Sequence, residues 1–130
     1  MIYDFLKKVP LFADLPDEDL ERLCESAEEV ELDAGEELFA EGEAGDRAYV
    51  ITDGLLDVVK VSDEREVLLA VREPGEVIGE MALLEEAPRM ASVRAKTKCK
   101  LLAIHKDQLD LLLRTSLPAT RAMFYTILSR

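Results

Sequence analysis

Residues 78–93, IGEMALLEEAPRMASV, place a glycine, a carboxylate, a short helix-forming run and an arginine close enough to serve one small anion. Gly79 permits a positive φ or a close backbone approach to a ligand. Met81, Ala82, Leu83 and Leu84 favour a short helix whose first N–H groups lack internal partners, and such helix starts attract anions. Arg89, following Pro88, adds a planar and permanently charged fork that matches two phosphate oxygens. Glu80 is an acceptor suited to a sugar hydroxyl. Together these residues describe a pocket for a small phosphorylated ligand.

The rest of the chain offers no chemistry to perform on that ligand. His105 stands beside Lys106 without a motif joining it to a nucleophile, which reads as a surface or capping histidine. The carboxylates form no pair with an assignable acid and base, and neither acidic cluster, Asp17 to Asp19 or Glu41 to Asp46, has the ligand alternation of a calcium loop. A binding protein is expected, not an enzyme, with no catalytic residue and no metal.

Those residues need a scaffold, and the chain pattern supplies one. The first thirty residues read as helical: a short turn over Tyr3 to Lys8, then a helix opened by Pro16 and the acidic Asp17, Glu18 and Asp19, with Leu20, Leu23, Cys24 and Ala27 at helical spacing. From Val30 the pattern changes to eight short apolar runs: 30–32, 37–40, 48–53, 55–61, 67–71, 77–78, 91–95 and 100–105. Eight short strands predict an antiparallel β-barrel or jelly roll, mainly β with flanking α helices. Gly35, Gly42 with Gly45, Gly54 and Gly75 fall between strands, where a positive φ is useful, whereas Gly79 falls in the candidate site. Arg94, Lys96, Lys98 and Lys100 alternate, as residues on one face of a strand would. After the strands, residues 107–114 read as a helix with Leu109, Leu112 and Leu113 inward. Ser116 and Pro118 open a last helix with more apolar positions than one face absorbs.

The segment resembles the phosphate-binding cassette of the cyclic nucleotide-binding domains, a family that includes bacterial catabolite activators and the regulatory subunits of cyclic-AMP-dependent protein kinase. The family places an aromatic or aliphatic residue before Gly-Glu, then a hydrophobic residue, Ala and Leu, and later Pro-Arg, any residue and Ala. Here those positions are Ile78, Gly79, Glu80, Met81, Ala82, Leu83, Pro88, Arg89, Met90 and Ala91. The resemblance implies one domain: N-terminal helices over 1–29, a barrel of the double-stranded β-helix type over 30–105 with its cassette at 78–92, and a hinge and lid over 106–130. It implies a cyclic mononucleotide, cyclic AMP before cyclic GMP, with Ile78, Gly79, Glu80, Met81, Ala82, Arg89, Met90 and Ala91 around it. Phe124 or Tyr125 would stack on the purine as a lid. The family often uses a small residue at position 90, and a threonine in many cyclic-GMP sites. Met90 offers no hydroxyl to a guanine and could crowd the ligand.

Composition bounds these readings. The 130 residues are 48% apolar and 34% charged, as in a globular domain with its own core, and no apolar run approaches the roughly 20 residues of a membrane span. The N-terminus does not read as a secretory signal, and Cys24 and Cys99 form no CxxC pair, so a reduced cytoplasmic setting is expected. The net charge of −12 argues against nucleic acid as a partner of this chain. The C-terminal helix could join a second copy or an effector domain. Two other readings fit the same residues: a degenerate barrel acting as a protein-interaction module, or the ligand domain of a truncated transcription regulator.

Overall fold

The computed structural model describes residues 2–9, 12–13, 15–79, 82 and 87–115. Two helices, α1 (Ile2–Lys7) and α2 (Asp17–Ser26), precede the strands β1 (Glu28–Leu32), β2 (Glu37–Phe39), β3 (Ala44–Gly45), β4 (Arg47–Asp53), β5 (Leu56–Ser62), β6 (Arg65–Arg72), β7 (Val77–Ile78), β8 (Ala87–Pro88), β9 (Ser92–Ala95) and β10 (Cys99–His105). Helix α3 (Lys106–Thr115) follows. All pairings are antiparallel, in two four-stranded sheets ordered β1-β10-β4-β7 and β2-β9-β5-β6, with a small β3-β8 ladder beside them. The eight strands expected from the sequence are present within a jelly-roll arrangement. The β3-β8 pair is additional, and it proves central to the site.

In the first sheet β4 and β10 are buried on both faces, which is why they read as nearly continuous apolar runs instead of alternating ones. Tyr49, Ile51, Leu101 and Ala103 point into the barrel, where they meet Leu56, Val93 and Ala95 of the second sheet. Their neighbours Ala48, Val50, Leu102 and Ile104 point the other way, onto Leu6, Phe12, Leu20, Leu23 and Leu109 of the helical layer. Burying each large aliphatic or aromatic side chain is worth about 1.5–3 kcal/mol, so both layers hold β4 and β10 in place. Helix α2 starts where Asp17, Glu18 and Asp19 complement its N-terminal dipole. The Asp17 carboxylate also accepts from the Tyr3 hydroxyl at 2.8 Å and the Lys7 ammonium at 3.0 Å, tying α1 to α2.

The second sheet is different, because no described element covers its outer face. β6 is an edge strand that pairs only with β5, and Val61, Leu68 and Leu69 of this hairpin are each more than half exposed. The alternating cations do not share a strand face as the sequence suggested. Arg94 lies on β9 and pairs with Glu66 of β6, Lys96 and Lys98 lie in the turn, and Lys100 lies on β10. Gly54 sits against this turn with φ 89°, where any Cβ would run into the Lys98 carbonyl and Cys99. Both cysteines are free thiols.

Candidate functional site

The site is built where the chain after β7 returns to the β2–β4 connection. Gly79 directly follows β7 with φ 73°, a conformation that suits glycine, and its carbonyl accepts from Ala82 N–H at 3.1 Å. The returning strand β8 pairs with β3, Ala44 opposite Pro88 and Gly45 opposite Ala87. Past this ladder, Arg89 N–H donates to the Glu43 carbonyl at 2.7 Å and Gly42 N–H donates to the Arg89 carbonyl at 2.8 Å. Glu41 N–H donates to the Ser92 hydroxyl at 2.9 Å. These main-chain bonds fix the Arg89 backbone at the wall of a cavity of about 450 Å3.

The Arg89 side chain is 8% exposed. Its Nη2 donates to the Arg47 carbonyl on β4 at 2.8 Å, and its guanidinium lies 4.1 Å from the centre of the Phe39 ring. Its Nε is buried without a hydrogen-bond partner. Burial pushes the guanidinium's pKa down, and the nearby Tyr49 and Asp46 oppose that shift. Among the described residues no carboxylate lies within ion-pair distance of it, so this buried cation lacks the partner that buried charges normally have. A buried guanidinium that lines a cavity and is neutralised by no described carboxylate can hold an anion.

Of the residues the sequence singled out, Ile78, Gly79, Ala82, Arg89, Met90 and Ala91 all line this cavity. Met90 lines the cavity while 79% exposed. Phe39, Val58 and Arg72 line it as well. Arg72 is a second cation, carried by β6 and 3.5 Å from Glu76. Nothing in its sequence neighbourhood distinguishes it from a solvated edge residue. A larger cavity of about 650 Å3, between α1 and strands β1 and β10, contains none of the candidate ligand-binding residues.

Residues 29–116 match the family model of the cyclic nucleotide-binding domain. The chain belongs to that family. This cyclic nucleotide-binding domain is 37% identical over 113 residues to a cAMP-dependent protein kinase regulatory subunit of Yarrowia lipolytica, covering 86% of the chain and 30% of the relative. The N-terminal domain of a transcriptional regulator from Streptomyces coelicolor A3(2) superposes with TM-score 0.85 and 39% identity, covering 97% of this chain and 87% of that one. The regulatory domain of Toxoplasma gondii PKA, crystallised with cAMP, superposes with TM-score 0.80 and 31% identity, covering 85% of this chain and 42% of that one. The chain spans 23% to 30% of the length of the curated regulatory subunits it matches.

Glu80 and Met81, expected beside the ligand, lie outside the described residues, as do the candidate lid residues Phe124 and Tyr125 and the last helix. Gly45 departs from its expected role. It lies in β3, its φ is not positive, and it is buried against Arg89: a Cβ there would stand 2.8 Å from Nε and 2.9 Å from Cζ. Gly45 therefore makes room for the arginine instead of making a turn. His105 is half-buried, with Nε2 3.5 Å from a Glu28 carboxylate oxygen, and Lys106 N–H at the start of α3 donates to the Asp46 carbonyl at 2.8 Å.

Proposed function

We propose that this domain is a cyclic-mononucleotide sensor whose ligand is cyclic AMP and which performs no chemistry on it. The observation that carries this reading is Arg89: a buried guanidinium with an unpartnered Nε at the wall of a cavity whose volume suits a small ligand. The cyclic phosphate takes the free in-plane donors of Arg89 together with N–H groups of the segment after Gly79. Glu80 takes the ribose 2′-hydroxyl, and the Met90 or Ala91 amide completes the cradle. The regulatory subunits among its relatives, and the cAMP held by the Toxoplasma domain, favour cyclic AMP over other anions.

The output is a change in the segment beginning at Lys106, with Phe124 or Tyr125 closing on the purine and the C-terminal helix joining a second copy or an effector. Support comes from the short hydrogen-bonded path between the site and α3. Arg47, whose carbonyl holds Arg89, is adjacent to Asp46, whose carbonyl holds Lys106. A ligand shifts this equilibrium only as far as it binds one state better than the other. Calorimetry tests the reading, using protein stripped of nucleotide by unfolding and refolding. Micromolar or tighter binding of cyclic AMP is expected, and no heat and no thermal shift at millimolar ligand refutes it.

A further inference from the structure

A buried guanidinium usually rests against a carboxylate, which occupies its in-plane N–H groups and would have to be displaced by any incoming phosphate. Arg89 is held another way. The Phe39 ring, 4.1 Å from the guanidinium carbon, attracts the cation through its π face. A cation–π contact, unlike a carboxylate, takes up none of the guanidinium's N–H donors. Among the described residues, Nη2 is committed to the Arg47 carbonyl and Nε has no partner. Gly45 and Gly79 close around the same group, since a Cβ at either position would collide with it. Phe39 is itself fixed, lying on β2 in register with Val93 of β9 and with its ring 6.2 Å from that of Tyr49.

We propose that Phe39 is the positioning residue for Arg89, an aromatic platform that sets the guanidinium in its anion-binding pose before any ligand arrives and without a competing acidic partner. This role rests on the cyclic-nucleotide reading of the cavity. It predicts a site preformed in the empty protein, with the ring providing the hold that a counter-ion otherwise provides. It also predicts that aromatic character at position 39 matters more than volume, because an aliphatic side chain fills the space without attracting the cation.

Two measurements test the role. In the ligand-free protein, the Arg89 side-chain Nε–H proton should show an upfield ring-current shift by NMR that Phe39→Leu abolishes and Phe39→Tyr retains. In calorimetry with cyclic AMP, Phe39→Leu should weaken binding about five- to twentyfold, the range expected of a desolvated cation–π contact. Phe39→Tyr should bind within about twofold of the parent, and Phe39→Leu should cost nothing further in an Arg89→Ala background. A missing ring-current shift in the parent overturns the proposal, as does a leucine variant that keeps both its fold and its affinity. A parent that binds no cyclic nucleotide refutes the proposed function instead, and the NMR result then stands on its own.

Discussion

Gly45→Ala separates the site from the scaffold more sharply than any change to a charged residue. The Gly45 φ is one that alanine adopts freely, so the added methyl acts by contact alone. That methyl would sit 2.8 Å from Arg89 Nε, 2.9 Å from Cζ and 3.1 Å from Cδ, and something must move. If the strand moves, the β3–β8 ladder and the Arg89 and Gly42 main-chain bonds are strained, and overpacking of this kind costs about 1–3 kcal/mol. If the guanidinium swings out, the protein loses a bond to the Arg47 carbonyl, about 0.5–1.5 kcal/mol net, and a ring contact of similar worth, but a buried cation regains water. The second route costs less, because the obstacle is the far end of a flexible side chain. Urea unfolding of ligand-free Gly45→Ala should therefore fall within about 1 kcal/mol of the parent. Cyclic AMP affinity should drop about thirtyfold, roughly 2 kcal/mol, as the fork leaves its pose. Gly54→Ala is the control: its φ of 89° and its backbone obstacles offer no such escape, so stability should fall by about 3 kcal/mol or more with the cavity intact. A Gly45→Ala protein that loses stability yet binds normally would refute the reasoning.

Arg89→Ala should weaken cyclic AMP by about 2–4 kcal/mol, or roughly 30- to 1000-fold by calorimetry, with lysine restoring only part because it lacks the fork. In competition binding cyclic AMP should exceed cyclic GMP by about tenfold, and Met90→Thr should narrow or reverse the gap by supplying a hydroxyl. Because Met90 is largely exposed, that variant should leave the thermal midpoint unchanged. The Lys7 ammonium and the Tyr3 hydroxyl hold the Asp17 carboxyl below its ordinary value of 3.8. A depressed carboxyl contributes its full stabilisation above the unfolded value and loses it as pH falls through the folded one. Urea midpoints of the parent and Asp17→Asn should therefore differ at pH 7 and converge as pH falls through the folded-state value of Asp17.

The strands were legible because short apolar runs cut by turn glycines mark extended segments, whether buried as in β4 and β10 or exposed as in β6, and the cassette was legible because its residues are contiguous. The β3–β8 ladder was not, since two residues cannot display a period of two. Gly45 was misread for a related reason. A glycine between apolar runs signals a turn, and only the structure shows that Arg89, 44 residues later in the chain, needs the space a side chain would take. Phe39 read as one residue of a strand, and its contact with Arg89 depends on a pairing, β2 with β9, that local pattern does not encode. Arg72 was invisible because the inward face of an edge strand looks the same in sequence as the outward one. Alternating cations have the period of a strand face, but here Gly54 sits against a turn that divides them.

The outer side of the β5–β6 hairpin, which no described element covers, has a consequence for the protein's behaviour in concentrated solution. An eight-residue edge strand with exposed Val67, Leu68, Leu69 and Val71 is a template on which a neighbouring strand can add. What opposes that encounter at neutral pH is mutual repulsion between molecules each carrying −12. Salt shortens the range of this repulsion to about 10 Å at 0.1 M, and acidification toward the isoelectric point near 4.5 removes it. Dispersions of this domain should therefore cloud first in acid and at high ionic strength. The contact that begins the process should be strand β6 meeting its own copy.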